Sequence, residues 1–222
     1  MKKFLLVSAL LAASATASAA DLKPYVEGQI GWGNVGDVST KTYTGTVGGV
    51  AYNGQVNLDY DSNVAWGGEI GLANVADTNF RVGLSFTKLS LDLNSVTASG
   101  TLTYNGSSYT GATGNLKQTF ANHGINFDSD LKVYMVNAYY DIPTGTQLTP
   151  FVGAGVGVAS MDHAGSELAL SATAGLKYNI DKNLYLGAKA TYFRVNGPKD
   201  DLGLEYQDVD MYRVQALVGY QF

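Results

Sequence analysis

The fold class predicted is all-β, an eight-stranded antiparallel up-and-down barrel that crosses a membrane with its strands, and three observations predict it. Over the last fourteen residues Tyr212, Val214, Ala216, Val218, Tyr220 and Phe222 share one strand face, while the intervening Arg213, Gln215, Gly219 and Gln221 are polar or small, apart from Leu217. One face therefore suits lipid and the other a wet or salt-bridged interior. At the other end Lys2 and Lys3 precede an apolar run from Phe4 to Ala13 and then Ala17-Ser18-Ala19-Ala20, the layout of a cleavable secretory leader over residues 1–20. That run is shorter than the roughly 20 apolar residues of a spanning helix, and no other such run occurs. Strands can cross hydrocarbon only as a closed barrel, because every backbone amide there must find a partner within the protein. Composition agrees: 27 Gly, 15 Tyr and 15% charged residues suit many short strands and turns.

Eight alternating stretches have the length of tilted membrane-crossing strands. The first, 24–34, puts Val26, Gly28, Ile30 and Trp32 on one face and Tyr25, Glu27, Gln29 and Gly31 on the other. The second, 64–75, turns Val64, Trp66, Ile70 and Leu72 outward; after a tight turn at 74–79 the third, 80–89, turns out Phe80, Val82, Leu84 and Phe86. The fourth, 132–142, presents Tyr134, Val136, Ala138, Tyr140 and Ile142; beyond Pro143-Thr144-Gly145 the fifth, 150–159, presents Val152, Ala154, Val156 and Val158. The sixth is 168–180, Asp181-Lys182-Asn183 turns the chain into the seventh, 184–195, and the eighth closes the barrel. Residues 21–222 are thus expected to form one barrel domain.

Short and mostly longer connections alternate, which assigns the short ones to the periplasm, the longer ones to the outside, and both termini to the periplasm. The first two outer loops, about 35–63 and 91–131, are long; the third, 161–166, is short, and the fourth runs over 196–207. Each long loop holds an Asn-Gly pair after a tyrosine, Asn53-Gly54 and Asn105-Gly106, flanked by semi-alternating Val, Thr and Leu, the signature of a two-residue hairpin turn. The first and second strands, and the third and fourth, are therefore expected to extend above the membrane as hairpins, the alternative being mobile loops.

Three segments carry a family resemblance: Asn137-Ala138-Tyr139-Tyr140-Asp141, Thr149-Pro150-Phe151-Val152-Gly153-Ala154-Gly155-Val156-Gly157, and the terminal Gly219-Tyr220-Gln221-Phe222. Together they resemble the small OmpA/OmpX-like outer-membrane barrels and related bacterial surface antigens, over essentially the whole mature chain. The resemblance implies the outer membrane, with its lipid and lipopolysaccharide, as the site of action. It also implies that Tyr220 and Phe222 belong to the signal read by the barrel assembly machinery. OmpA-type proteins carry a second, peptidoglycan-binding domain, which has no counterpart in this sequence, so wall anchoring is not expected.

An eight-stranded barrel is narrow enough for side chains to fill it. Glu27, Gln29, Glu69, Arg81, Lys177, Lys189, Arg213 and Gln215 fall on inward positions. Buried unpaired charges cost several kcal/mol each, so a paired network across the lumen is expected, with Glu27 and Glu69 as acids for Arg213, Arg81 and the lysines. Such a plug argues for a rigid anchor. Against it stand inward glycines at 31, 67, 71, 83, 153, 155 and 157, which would either leave a water-sized gap or make room for Tyr25, Phe151, Tyr185 and Arg213. Trp32, Trp66, Tyr134, Tyr140, Tyr178, Tyr192, Tyr212, Tyr220 and Phe222 are read as interfacial girdles.

The formal net charge of −5, taken to −7 by loss of Lys2 and Lys3 with the leader, argues against nucleic acid as a partner. With no Cys there is no disulfide framework. Some outer-membrane barrels remodel lipid A with a His, a Ser and a Glu facing the membrane, but the two His here lie in loops: His163 near Ser166 and Glu167, and His123 beside Asn122 and Asn126. Neither arrangement makes a triad on an outward strand face, so no catalytic site is expected. Acid clusters, Asp59/Asp61, Asp128/Asp130 and Asp200/Asp201 with Glu205, Asp208 and Asp210, read as solvated faces rather than Ca²⁺ or Mg²⁺ sites, and neither metal nor cofactor is assigned. The leading function is a non-enzymatic surface protein whose loops serve envelope integrity, adhesion, host binding or antigenic display. A small porin is the alternative, and a lipid A-modifying enzyme the remote one.

Overall fold

The computed structural model describes residues 22–36, 38–47, 49–122, 129–161, 164–197 and 207–222. The expected leader at 1–20, both histidines, Asp128, Asp162, Asp200, Asp201 and Glu205 lie outside them. In chain order the strands are β1 (Lys23–Val35), β2 (Val38–Ser39), β3 (Tyr43–Val47), β4 (Val50–Tyr60), β5 (Asn63–Val75), β6 (Phe80–Leu91), β7 (Leu93–Tyr104) and β8 (Ser107–Ala112). A short helix α1 (Lys117–Asn122) precedes β9 (Ser129–Asp141), β10 (Leu148–Met161), β11 (Ala164–Asn179), β12 (Leu184–Val195) and β13 (Val209–Gln221). Eight of these close a barrel in the order β1-β13-β12-β11-β10-β9-β6-β5 and back to β1, all antiparallel.

The barrel strands coincide with the eight expected ones to within a few residues. Burial alternates residue by residue along β1 and β13, as a barrel wall requires. Outward positions are apolar and exposed, Ile30, Ile70 and Val214 each by about 60%. Aromatics gather at both ends of this outward band. Phe86 bridges Trp66 and Tyr134 toward one rim, and Tyr192 meets Tyr212 there; Phe80 with Tyr140, and Tyr220 with Phe222, lie toward the other. The second rim carries the tight turns. In one of them Asp181 accepts the backbone N–H groups of Asn183 and Leu184, both at 2.7 Å, and these hold its carboxyl below the usual carboxylate range.

At the opposite rim the loops depart from independent hairpins. β2, β3, β4, β7 and β8 form a second sheet in which β4 pairs with β7 from Ala51↔Thr103 to Tyr60↔Leu93, joining the first long connection to the second. β4 leads directly into β5, and β6 into β7, so the sheet rises from the barrel wall. The turn expected at Asn53-Gly54 is not there: both residues sit inside β4, opposite Thr44 and Tyr43. The chain reverses instead between the paired Val47 and Val50, where Gly49 has φ 82°. Glycine reaches positive φ at no steric cost, so Gly49 outcompetes Asn-Gly, while Asn53 is used to accept the Thr101 N–H across the sheet at 3.0 Å. Asn105 and Gly106, with φ 48° and 79°, do form the two-residue turn between β7 and β8.

A second difference lies inside the barrel. The half of the lumen nearest the loop sheet is apolar rather than wet. Leu89 and Leu91 of β6, Val133 and Met135 of β9, Phe193 of β12 and Met211 of β13 pack there in one cluster with Leu58, Tyr60, Leu93 and Val96 of the loop sheet. The sheet roofs the barrel, and side chains beneath a roof gain by being apolar. Beside this cluster the outward phase of the same strands carries Lys88, Lys132 and Arg194, so the alternation continues with the apolar residues inside.

Leu91, 1% exposed, joins the barrel core to the roof. Leu91→Ala is expected to lower the unfolding free energy by about 2–5 kcal/mol. Urea unfolding of the refolded barrel in detergent micelles measures the loss, and limited proteolysis should show the loop sheet cut first.

Candidate functional site

Two regions concentrate polar or exposed chemistry: the lumen near the turn rim, and the distal end of the loop sheet. All eight luminal residues expected from sequence are buried. Glu27 and Glu69 face each other across the β1–β5 ladder. Glu27 accepts from Gln29 Nε2 at 3.0 Å and Tyr185 Oη at 3.0 Å, and lies 3.5 Å from Lys189 Nζ and 3.6 Å from Arg81 Nη1. Glu69 accepts from Tyr25 Oη at 2.5 Å, Tyr139 Oη at 2.8 Å and Asn137 Nδ2 at 3.1 Å, with Lys189 Nζ 3.9 Å away.

Asp141 is the third acid. It accepts from Arg81 Nε at 3.0 Å and Lys177 Nζ at 2.6 Å. Arg81 is also caged by rings, its guanidinium carbon 4.7 Å from the Tyr139 centroid, 5.1 Å from Phe151 and 5.3 Å from Tyr25. Arg81, Lys177 and Lys189 thus each meet an opposite charge, which is the condition under which burial is tolerated, whereas the buried Arg213 Nε has no hydrogen-bond partner.

Of the bases expected to meet Glu27 and Glu69, Arg81 and Lys189 lie against them, and Lys177 and Arg213 do not. Lys177 takes Asp141, not a glutamate, and the Arg213 guanidinium lies 4.5 Å over the Phe193 ring at the border with the apolar half. Desolvation near that apolar half favours a ring face over a distant carboxylate. Gln215 sits between Gly31 and Lys189 in register. Asp141, Asn137 and the tyrosine hydroxyls were missed, although Asn137, Tyr139 and Asp141 share the inward phase of the strand that placed Tyr140 and Ala138 outward.

The inward glycines are occupied space. A Cβ on Gly71 would lie 2.6 Å from the Tyr25 ring, on Gly153 2.2 Å from Tyr139, and on Gly83 2.4 Å from Tyr25 Oη and 2.6 Å from Glu69 Oε1. At Gly31, Gly67 and Gly157 a Cβ would strike the backbone of the adjacent strand. Of the two readings of these glycines, making room for bulky neighbours matches the geometry at Gly71, Gly83 and Gly153. Tyr220 and Phe222 stand outward at the turn rim, ring centroids 5.0 Å apart.

At the loop rim the acids are engaged locally. Asp59 accepts from Asn94, Asp130 pairs with Lys88 at 2.7 Å, and Asp210 takes both Arg194 at 2.9 Å and Tyr192 at 2.7 Å. Among the described residues no three acids, histidines or cysteines are grouped to hold a metal ion. Further out, the loop sheet has a polar face on which Thr101 and Thr103 bond to Thr110 and Ser108, each at 2.9 Å. Its other face carries exposed Tyr52, Leu102, Tyr104 and Tyr109.

The profile described as "Outer membrane protein beta-barrel domain" matches residues 4–222. No curated protein matches the chain. Among solved structures it is similar to Neisserial surface protein A (NspA), with 13% identity, a TM-score of 0.54 and coverage of 90% of this chain and 97% of that one. It is similar also to the outer membrane protein OprG from Pseudomonas aeruginosa, with 13% identity, a TM-score of 0.52 and coverage of 90% and 95%. At this identity the likeness is one of fold.

Glu69 is the acceptor on which three strands converge. Glu69→Ala is expected to cost about 3–5 kcal/mol by leaving Lys189 and two tyrosine hydroxyls short of a partner. Glu69→Gln should cost less, since it keeps an acceptor. Urea midpoints of the two variants, compared in one detergent, test the order.

Proposed function

The chain belongs to the outer membrane protein beta-barrel domain family, and from that premise we propose that it is a non-enzymatic surface anchor. In this reading the turn rim and both termini face the periplasm, and the loop sheet faces outward as the working surface for adhesion, host contact or antigenic display. Lipopolysaccharide surrounds the loop rim, and Tyr220 and Phe222 serve recognition by the assembly machinery during insertion.

The observation that carries this reading is the continuous core from the barrel lumen into the loop sheet. Leu89 and Leu91 in the barrel and Leu93 and Val96 above it belong to one cluster. Loops fused to their scaffold in this way are held in a single shape at the moment of encounter, which spares the entropy a mobile loop loses on binding. The membrane band anchors that shape in place.

A small porin is the competing reading. The seven inward glycines favoured it, but ring and carboxylate atoms lie against Gly71, Gly83 and Gly153, and the apolar cluster lies across the other half of the lumen. Ions crossing such a plug would have to shed water against Leu, Met and Phe side chains. A lipid A-modifying activity draws no support from the described residues, whose buried glutamates are engaged by lysine, arginine and tyrosine side chains.

Planar-bilayer recording of the refolded mature chain is expected to give no stable unitary conductance, and reproducible channels would move the assignment to a porin. Cells displaying the protein are expected to lose adhesion to a host-cell monolayer when both hairpins, 43–55 and 99–112, are replaced by short turns. Undiminished adhesion in a variant whose barrel still folds would end the surface reading.

A further inference from the structure

The loop sheet has one apolar face that changes character along its length. Nearest the barrel, Leu58 and Val96 are paired neighbours and buried in the core. Two residues further out come Val56 and Ala98, then a tier of glycines in which Gly54, Gly100 and Gly111 are paired across three strands. Beyond the glycines Tyr52, Leu102 and Tyr109 are likewise paired across β4, β7 and β8. These three are exposed by 40%, 53% and 70%, and Tyr104 stands two residues on. The Tyr52 ring is laid over β3, since a Cβ on its partner Gly45 would come within 2.5–2.7 Å of the ring and its hydroxyl.

Exposed aromatics at headgroup depth are explained by the membrane, but these lie beyond the apolar roof and the barrel rim. A second observation narrows what they meet. No charged residue occurs between Lys41 and Asp59 or between Asp92 and Lys117, although the chain as a whole carries −5. The distal part of the sheet, beyond Asp59, offers ring faces, one exposed leucine, glycines and neutral hydroxyls, with no charge among its described residues to recruit or repel a ligand. On its polar face a hollow of about 420 Å³ beside Thr44, Asn53 and Thr101 is less open to a guest, because Asn53, Thr101 and Thr103 already bond within the sheet.

We infer that the Tyr52-Leu102-Tyr109 tier, with Tyr104, binds an uncharged oligosaccharide, whose pyranose C–H faces stack on the rings. Three strands at about 4.8 Å spacing set the tier some 10 Å wide, the reach of about two linked hexose rings. The glycine tier leaves a shallow floor over which a sugar ring can lie without meeting side chains. Stacking on tyrosine needs no ligand charge, and the tyrosine hydroxyls remain free to bond sugar hydroxyls. An anionic glycan or acidic peptide would find no cation along either uncharged segment, and a basic partner no acid.

This inference rests on the loop sheet being the outward working surface, and the experiment separates the two. Refolded full-length protein is titrated with cellohexaose, chitohexaose and maltohexaose, with a sulfated heparin fragment as the charged control, by saturation-transfer NMR and calorimetry. At least one neutral hexasaccharide is expected to bind, with transfer concentrated on its ring C–H protons. Tyr109→Ser, at an exposed edge position, should weaken binding about tenfold, the scale of one aromatic contact, whereas Tyr109→Trp should retain it. No neutral sugar binding in the millimolar range, binding of the sulfated fragment alone, or equal binding by Tyr109→Ser would each overturn the proposal. Cell adhesion separates this failure from the other. Adhesion that needs the hairpins but is not competed by neutral sugar leaves the surface reading standing with a different ligand. Adhesion independent of the hairpins removes the surface reading itself.

Discussion

Closure of the backbone ladder is the constraint from which the rest of the architecture follows. The terminal strands β1 and β13 pair without interruption from Tyr25↔Gln221 to Val35↔Met211, and Phe222 adds a further bond from its N–H to the Pro24 carbonyl at 2.9 Å. With every edge consumed, the chain can present an apolar exterior to hydrocarbon without stranding amides there. The same closure fixes which residues face inward, and so hands the interior a set of side chains that have to satisfy one another in a narrow space.

The interior solves that demand in two ways. Toward the turn rim it is a polar lattice in which Glu27, Glu69 and Asp141 take up Arg81, Lys177 and Lys189, with tyrosine hydroxyls completing the acceptors. Toward the loop rim it is an ordinary apolar core that passes through the mouth of the barrel into a second sheet. Arg213 marks the border, its guanidinium on the Phe193 ring. Barrel and loops consequently share one core and are not a scaffold with attachments.

Much of this was legible in local pattern and some was not, for identifiable reasons. Two-residue periodicity located all eight barrel strands and the inward register, because lipid on one side and a filled lumen on the other impose the same alternation along each. Asn105-Gly106 was legible as a turn because both residues take positive φ there. Asn53-Gly54 was misread because the nearby Gly49 takes the positive φ of the turn and Asn53 is used across the sheet. The β4–β7 ladder was invisible, since it joins residues 33 to 52 apart and no local signal reports a pairing partner. Which acid meets which base was likewise beyond one sequence, while Asp141 was readable from its phase and simply uncounted.

That long-range ladder determines what another molecule sees. Ala51 and Thr103 are far apart in the chain yet adjacent in the sheet, so any footprint laid on the distal end is discontinuous in sequence. An antibody recognising the folded tip would draw its epitope from both connections at once, and a linear peptide copying either one would present only half of it. Sequence drift in one connection would then be felt immediately by the other, which makes the two connections a single structural unit.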